Sequence, residues 1–274
     1  MKKKKKSKKT PFLVIISLVV LVHLSVTLFL YVSQRSLIYF PSESTAEAPD
    51  GVLKVSYKVK GSGDELHKNW YVPPLSYDKQ IILHFHGNAG SIDSRYNKML
   101  PYIQQGYGVM LSEYPGYGGN PGAPSEESFF EGAENSYRSL INLGYEPQEI
   151  ILYGESIGAG SATYLAQKYE AKALVLEVPF DSLLNVVKGK YPFILGMKYL
   201  LKDHFDNLSR IADVNMPVLV MLAEKDEVIP TKFGENLYNK ASEPKQLEIL
   251  KGLGHNNVTG NETYPIMRDF IAKQ

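Results

Sequence analysis

"EIILYGESIGAG", residues 149–160, sets a continuous apolar run, Ile150-Ile151-Leu152-Tyr153, against a serine flanked by glycines, and then passes into the helix-forming "SATYLAQKYEA". A short Ile/Leu run closed by glycine reads as a buried strand, and the segment after it as a helix. Gly154-x-Ser156-x-Gly158 therefore sits on a strand-to-helix turn, the context that gives this five-residue pattern meaning. A serine there is held in strained backbone geometry, and small neighbours let strand and helix approach. Its hydroxyl is presented at a helix N-terminus, where developing negative charge is favoured. The competing reading is a serine that merely caps the helix. The rest of the chain decides between them.

Working outward, the same alternation repeats. "VLKVSYKVK" and "LHKNWYVP" alternate as half-exposed strands and are expected to pair antiparallel. "QIILHFHG", "YGVMLSEY", "AKALVLEV", "PVLVMLAEKD" and "KQLEILKG" are further strands. Helices are expected from Ser94 to Gln105, from Ser125 to Leu143, after Ser156 to about Glu170, and at the C-terminus. Buried Ile/Val/Leu runs separated by helices indicate an α/β fold, with a mainly parallel sheet covered by helices on both faces. Sites in such sheets form beyond the carboxyl ends of the strands.

A neutral serine needs a base, and the base needs an orienting acid. Asp226 follows the strand "PVLVMLAEK", and His255 follows the last strand in "KGLGHNN", where Gly252 and Gly254 leave the backbone free to turn. Taken singly, a loop histidine is an ordinary surface residue and an Asp after a strand is an ordinary turn or helix cap. Ser156, Asp226 and His255, in that order and at three strand ends, are expected to form a catalytic set. Glu227 is the nearest rival for the acid and Glu224 a weaker one. "HFHGNAG" follows another buried strand, and Gly87 and Gly90 let its backbone expose N–H groups. The amides of Asn88 and Ile157 are the expected oxyanion hole. His84-x-His86 would place two metal-type ligands on one strand face, but no third ligand joins at sensible spacing. No metal and no cofactor are expected, and His86 is expected to hold its loop by hydrogen bonds.

"LIYFP", "HFHGNAG", "EYPGYGGNPGAPSEES", "GESIGAG", "AEKDEVIP" and "GLGHNN" together make the stretch from Leu37 to the C-terminus resemble serine hydrolases of the α/β-hydrolase superfamily. The resemblance is to membrane-tethered abhydrolase-domain proteins, the branch that includes Bem46-like proteins, acyl-protein depalmitoylases and bacterial serine aminopeptidase-type hydrolases. It implies the α/β-hydrolase fold with a small cap, Ser156, Asp226 and His255 as triad, and the Gly87-Asn88 loop as part of the oxyanion hole. Glu113, often Asp in such proteins, and Pro115, often Arg, depart from the pattern in a structural loop.

Composition sets the outer limits. The 274 residues carry a formal net charge of +1, but seven lysines fall within the first nine residues. With no basic face elsewhere, nucleic-acid binding is not supported. The absence of cysteine excludes thiol catalysis, disulfides and Cys-based zinc sites. Phe12 to Val32 is a run of 21 residues without a formal charge, long enough to cross a hydrocarbon core of about 30 Å. It is too long for the apolar region of a cleaved signal peptide, and bulky "SQRSLIYFP" follows it. The expected organisation is a cytoplasmic lysine-rich tail (1–11), a transmembrane anchor in the bilayer (12–32), a connector (33–51) and a catalytic domain (52–274). The lysine bias places that domain on the non-cytoplasmic side, and the expected compartment is a bacterial periplasm or an outer cell face. Between "ALVLEVPF" and "MPVLVML" there is room for one packing helix and a short cap, and residues 183–201 are apolar enough to line a pocket or simply to pack. The expected activity is hydrolysis of carboxylic esters or thioesters of lipid-like or acylated substrates. The alternatives are an aminopeptidase-type serine peptidase and a tethered scaffold that keeps the fold without catalysis.

Overall fold

The apolar runs form a single stack of strands because every one of their residues faces a neighbour. Along β4 (Ile81–Phe85), Ile81, Leu83 and Phe85 enter the core on one face of the sheet and Ile82 the core on the other. Along β7 (Ile150–Glu155), Ile150 and Leu152 divide from Ile151 and Tyr153 in the same way. This is the period of two of a strand buried on both sides. The structure is a computed structural model that describes residues 9–42, 47–59, 65–76, 80–194 and 196–274. Residues 1–8 of the expected tail, 43–46 of the expected connector, Lys60 of the first expected strand and Leu195 of the insert lie outside the described residues.

In chain order the elements are α1 (Lys9–Ile38), β1 (Phe40–Pro41), β2 (Leu53–Tyr57), β3 (His67–Val72), β4, β5 (Ala89–Gly90), α2 (Ile92–Gln104), β6 (Gly108–Ser112) and α3 (Glu126–Asn142). They continue with β7, α4 (Gly158–Lys168), β8 (Ala173–Glu177), α5 (Leu183–Lys190), α6 (Met197–Leu200), α7 (Asn207–Ile211), β9 (Val218–Ala223), α8 (Lys232–Lys240), β10 (Lys245–Leu250) and α9 (Gly260–Ile271). The large sheet is 8-stranded, in the order β10-β9-β8-β7-β4-β6-β3-β2. β2 and β3 are antiparallel, as is β3 against β6, and every other pairing in it is parallel. The chain moves from β4 to β6 on one side and returns to β7 on the other, so the strand order reverses at β4. In open α/β sheets the crevice at such a reversal collects ligands. Ser156 follows β7, beside it.

Local chemistry places the helices. Ser125 caps α3 by accepting from the Ser128 amide, and Glu126 and Glu127 complement the helix dipole in the first turn. Phe129, Phe130, Ala133, Ser136, Tyr137 and Leu140 recur at helical spacing and form its buried face. Thr259 and Glu262 form a capping box that starts α9. The insert after β8 is divided into the short helices α5, α6 and α7, where one packing helix and a short cap were expected.

α1 is the departure in length. It is apolar and long enough to cross a membrane over Phe12–Ile38, and it continues past Val32, through residues expected to begin the connector. Helix propensity does not end where apolar character ends: Gln, Arg, Leu and Ile in "SQRSLI" all tolerate a helix. Those last turns are fixed to the rest of the protein. Gln34 donates to the Leu200 carbonyl at 3.1 Å and accepts from the Lys202 amide at 2.7 Å. Arg35 makes two bonds to Asp203, at 2.9 and 3.0 Å. β1 then pairs in parallel with β5, directly after the loop that carries Gly87 and Asn88.

Candidate active site

Ser156 closes the turn between β7 and α4 with φ of 53°, a left-handed conformation that few non-glycine residues adopt. Its amide is tied to the Glu177 carbonyl at 2.9 Å, and its carbonyl accepts from Ala159 at 3.0 Å. The flanking glycines are required by contact. A Cβ on Gly158 would lie 2.1 Å from the Phe85 carbonyl oxygen, and one on Gly154 would lie 2.6 Å from the backbone of Gly158 and Ala159. Strand and helix thus touch backbone to backbone around the serine, which a capping serine in a relaxed turn would not demand.

His255 lies in a short 3-10 turn after β10. Its Nε2 is 3.0 Å from Ser156 Oγ, and its Nδ1 is 2.7 Å from Asp226 Oδ2. The carboxylate accepts, so Nδ1 carries the proton and Nε2 is free to accept from the serine hydroxyl. Asp226 is itself fixed, because Oδ1 accepts from the amides of Val228 at 2.9 Å and Ile229 at 2.7 Å. The three predicted residues, which come from three strand ends, are brought into one hydrogen-bonded series. The rival carboxylates are placed elsewhere. Glu227 accepts from the His255 backbone amide at 3.3 Å, and Glu224 from the Gly252 amide at 2.8 Å. Both brace the loop that carries the imidazole, and Asp226 alone of the three faces its ring.

Ile157 begins α4 with no side-chain cap, and its amide is one of the N–H groups that a helix start leaves without an intrahelical acceptor. Among the described residues neither this amide nor that of Asn88 has an acceptor. The Asn88 side chain acts separately from its backbone. Its amide group donates to the Ile38 carbonyl at the end of α1, and its oxygen accepts from Tyr117 at 3.1 Å. His86 secures the same loop, with Nδ1 2.7 Å from the Gly87 carbonyl and Nε2 2.9 Å from Glu113. Glu113 also accepts from the amides of Ile92 and Tyr114, which explains a carboxylate buried at this position. Both nitrogens of His86 are engaged, so the ring offers no lone pair to a metal. His84 packs against Tyr153, with ring centroids 5.3 Å apart, and burial pushes its pKa down to about 3. It is a neutral core ring.

A cluster of buried charge lies beneath the serine, beyond what the strand-end motifs announce. Lys98 of α2 sits 2.9 Å from Glu155 and 2.5 Å from Glu177, and Tyr153 donates to the second carboxylate at 2.5 Å. Burial alone would raise the Glu155 pKa, but the Lys98 and Arg95 cations hold it far below the usual carboxylate range. Glu177, buried beside Glu155, stays above that range in spite of Lys98. Burial would lower Lys98, and the two carboxylates outweigh it. The cluster fixes the floor on which the Ser156 turn rests, because removing one partner from a buried ion group typically costs about 3–5 kcal/mol. A sequence signal exists: "IILYGE" and "LVLEV" both close a wholly buried run with an acid, which must find a cation.

Two cavities meet at His255 and Asn256, and Ser156 lines the first of them. One, of about 500 Å³, is apolar and runs between α1 and the cap formed by α5 and α6. The other, of about 610 Å³, is lined by polar side chains that include Ser94, Asn97, Asn256 and Asn261.

Comparison with known proteins bears on the family and the fold. Residues 80–196 match the family described as the alpha/beta hydrolase fold. The chain is 35% identical over 266 residues to protein Rv2307c of Mycobacterium tuberculosis, covering 94% of each. It is 30% identical over 201 residues to alpha/beta hydrolase domain-containing protein 17B of Xenopus laevis, covering 72% of this chain and 67% of that one. Among solved structures, an esterase of Pyrococcus furiosus superposes with a TM-score of 0.66 at 15% identity, covering 86% of this chain and 97% of that one, a likeness of fold. With its sheet reversing at β4, its Gly-Ser-Gly turn and this extended kinship, the chain belongs to the alpha/beta hydrolase family.

Proposed function

We propose that the protein is a membrane-anchored serine hydrolase that cleaves carboxylic esters or thioesters of acylated, lipid-like substrates through an acyl-enzyme. The observation that carries this reading is the Ser156–His255–Asp226 series at the floor of an apolar cavity. Ser156 Oγ attacks the acyl carbon as its proton passes to His255 Nε2, and Asp226 stabilises the resulting imidazolium. The amides of Asn88 and Ile157 hold the oxyanion. Collapse of the tetrahedral intermediate breaks the bond to the alcohol or thiol, which takes the proton from Nε2. Water, deprotonated by the same nitrogen, then releases the carboxylic acid and restores the serine.

Charge favours an ester or thioester over a peptide with a free amine. Among the described residues lining the apolar cavity Glu155 is the only acid, and Lys98 and Arg95 already neutralise it. The direct test is a series of acyl esters and thioesters of increasing chain length, with an aminoacyl amide beside them. The longer acyl esters or thioesters are expected to have the highest kcat/KM, and faster cleavage of the amide than of every ester would replace this reading with a peptidase.

We further propose that α1 crosses the membrane over residues 12–32, with the lysine tail in the cytoplasm and the catalytic domain outside it, by the bias of positive charge toward the cytoplasmic flank. Protease added to spheroplasts should digest the catalytic domain. A domain protected until the membrane is dissolved would reverse this orientation.

A further inference from the structure

The apolar cavity has an unusual wall. Thr27, Leu30, Tyr31, Gln34, Leu37 and Ile38 of α1 all line it, and positions 27, 30/31, 34 and 37/38 fall on one face of a helix. Cap residues such as Val187, Ile194 and Met197 form the opposite side, and Ser156, Ile157 and His255 close the inner end. The helix that is apolar enough to cross a membrane is therefore also part of the cleft that ends at the serine. Its position is not that of a loose tether. The bonds of Gln34 and Arg35 to residues 200–203 and of Asn88 to the Ile38 carbonyl join it to the cap on one side and to the Gly87-Asn88 loop on the other.

The surroundings of the cleft match a membrane surface. Beside α1 the cap exposes Tyr191 (45%), Phe193 (63%) and Tyr199 (86%), interspersed in sequence with Lys188, Lys190, Lys198 and Lys202. The Lys202 ammonium stands 4.6 Å above the ring of Tyr31, on the helix itself. Exposed tyrosines and lysines with apolar stems suit the level of lipid headgroups. From Ile38 to Thr27 the wall is about 16 Å long at ~1.5 Å per residue, and it leads from that level toward the apolar middle of the helix.

We propose that the C-terminal part of α1 is a specificity-determining wall of the substrate cavity, and that the substrate is a bilayer-resident amphiphile whose acyl chain lies along this helix with its carbonyl at Ser156. The proposal rests on the reading of Ser156 as nucleophile and adds where the acyl chain goes and what measures its length. The polar cavity on the other side of His255 then takes the leaving group. Each further methylene buried against the helix should raise kcat/KM about fourfold until the wall ends.

The test uses the full chain in detergent micelles and a series of p-nitrophenyl esters from acetyl to hexadecanoyl. Leu30→Trp fills the middle of the wall, and Leu28→Trp places the same bulk on the outward face, where Leu28 is 63% exposed. The ratio of hexadecanoyl to acetyl kcat/KM should fall on the order of tenfold or more in L30W and stay at the wild-type value in L28W. Leu30→Ala, which widens the wall, should move the optimum to a bulkier or longer chain. Equal ratios in wild type, L30W and L30A would overturn the proposal while leaving the esterase reading intact. If the wild-type protein hydrolyses no ester of any length, the esterase reading itself fails, and this proposal with it.

Discussion

Ser156→Ala is expected to reduce ester hydrolysis on the order of 10⁴-fold or more and to leave the melting temperature near that of the wild type. The two halves of this expectation have separate causes. Loss of Oγ removes the attacking atom, and the members of a serine–histidine–carboxylate set act as a unit, so His255→Ala should be about as damaging and the double variant little worse than either. Stability should hold because Ser156 contributes no apolar packing, and its backbone bonds to Glu177 and Ala159 do not involve the hydroxyl. The variant keeps a residue with a Cβ at φ of 53°, so the strain of the turn is unchanged. Steady-state kinetics together with a thermal melt check both halves. Turnover at the wild-type rate in a folded Ser156→Ala protein would exclude the proposed mechanism. Wild-type protein with no turnover on any ester or amide would instead point to a scaffold that keeps the fold alone.

Asp226→Asn is expected to lower kcat on the order of 10⁴-fold without moving the loop. The amide can still accept from Val228 and Ile229 through its oxygen, as Oδ1 does now. The atom replacing Oδ2 then becomes an NH₂ group facing His255 Nδ1, and it donates where the native carboxylate accepts. The imidazole is driven into the tautomer with its proton on Nε2, where it can no longer take the proton of Ser156. Glu227→Gln is the informative control. Among the described residues Glu227 holds only the backbone amide of His255, at 3.3 Å, and a glutamine oxygen can do the same. Its kcat should remain within a few-fold of the wild type. A damaging Glu227→Gln beside a harmless Asp226→Asn would exchange the roles of the two carboxylates.

What can be read in the sequence follows from what decides each feature locally. Strands buried on both faces announce themselves as continuous Ile/Val/Leu runs, so β4, β6, β7, β8 and β9 stand where the runs stand. The ends of those runs carry Ser156 and Asp226, and that is why the candidate site is legible before any contact is known. α8 is not legible in this way. "KFGENLYNK" carries a glycine in its first turn, a residue that costs up to about 1 kcal/mol in a helix, and the reason for it is tertiary: a Cβ on Gly234 would lie 2.2 Å from a Leu222 methyl. The pairing of β1 with β5 joins two residues to two and includes Pro41, too short a pattern to see in a sequence. The choice between Asp226 and Glu227 is a matter of which adjacent side chain turns toward the imidazole, and composition holds no trace of that. The Lys98–Glu155–Glu177 cluster joins residues far apart in the chain. Its acids are visible as anomalies at the ends of buried runs, but their cation is not. The length of α1 separates two questions that hydropathy merges, namely where apolar character ends and where the helix ends.

The central claim is that Ser156 is a nucleophile activated by His255. Labelling the intact protein with a serine-reactive fluorophosphonate, followed by peptide mass spectrometry, addresses it most directly. A single adduct on the peptide that carries Ser156, lost in Ser156→Ala and strongly slowed in His255→Ala, is the predicted result. An adduct on another residue, or persistent ester hydrolysis by protein whose Ser156 is fully modified, would contradict it.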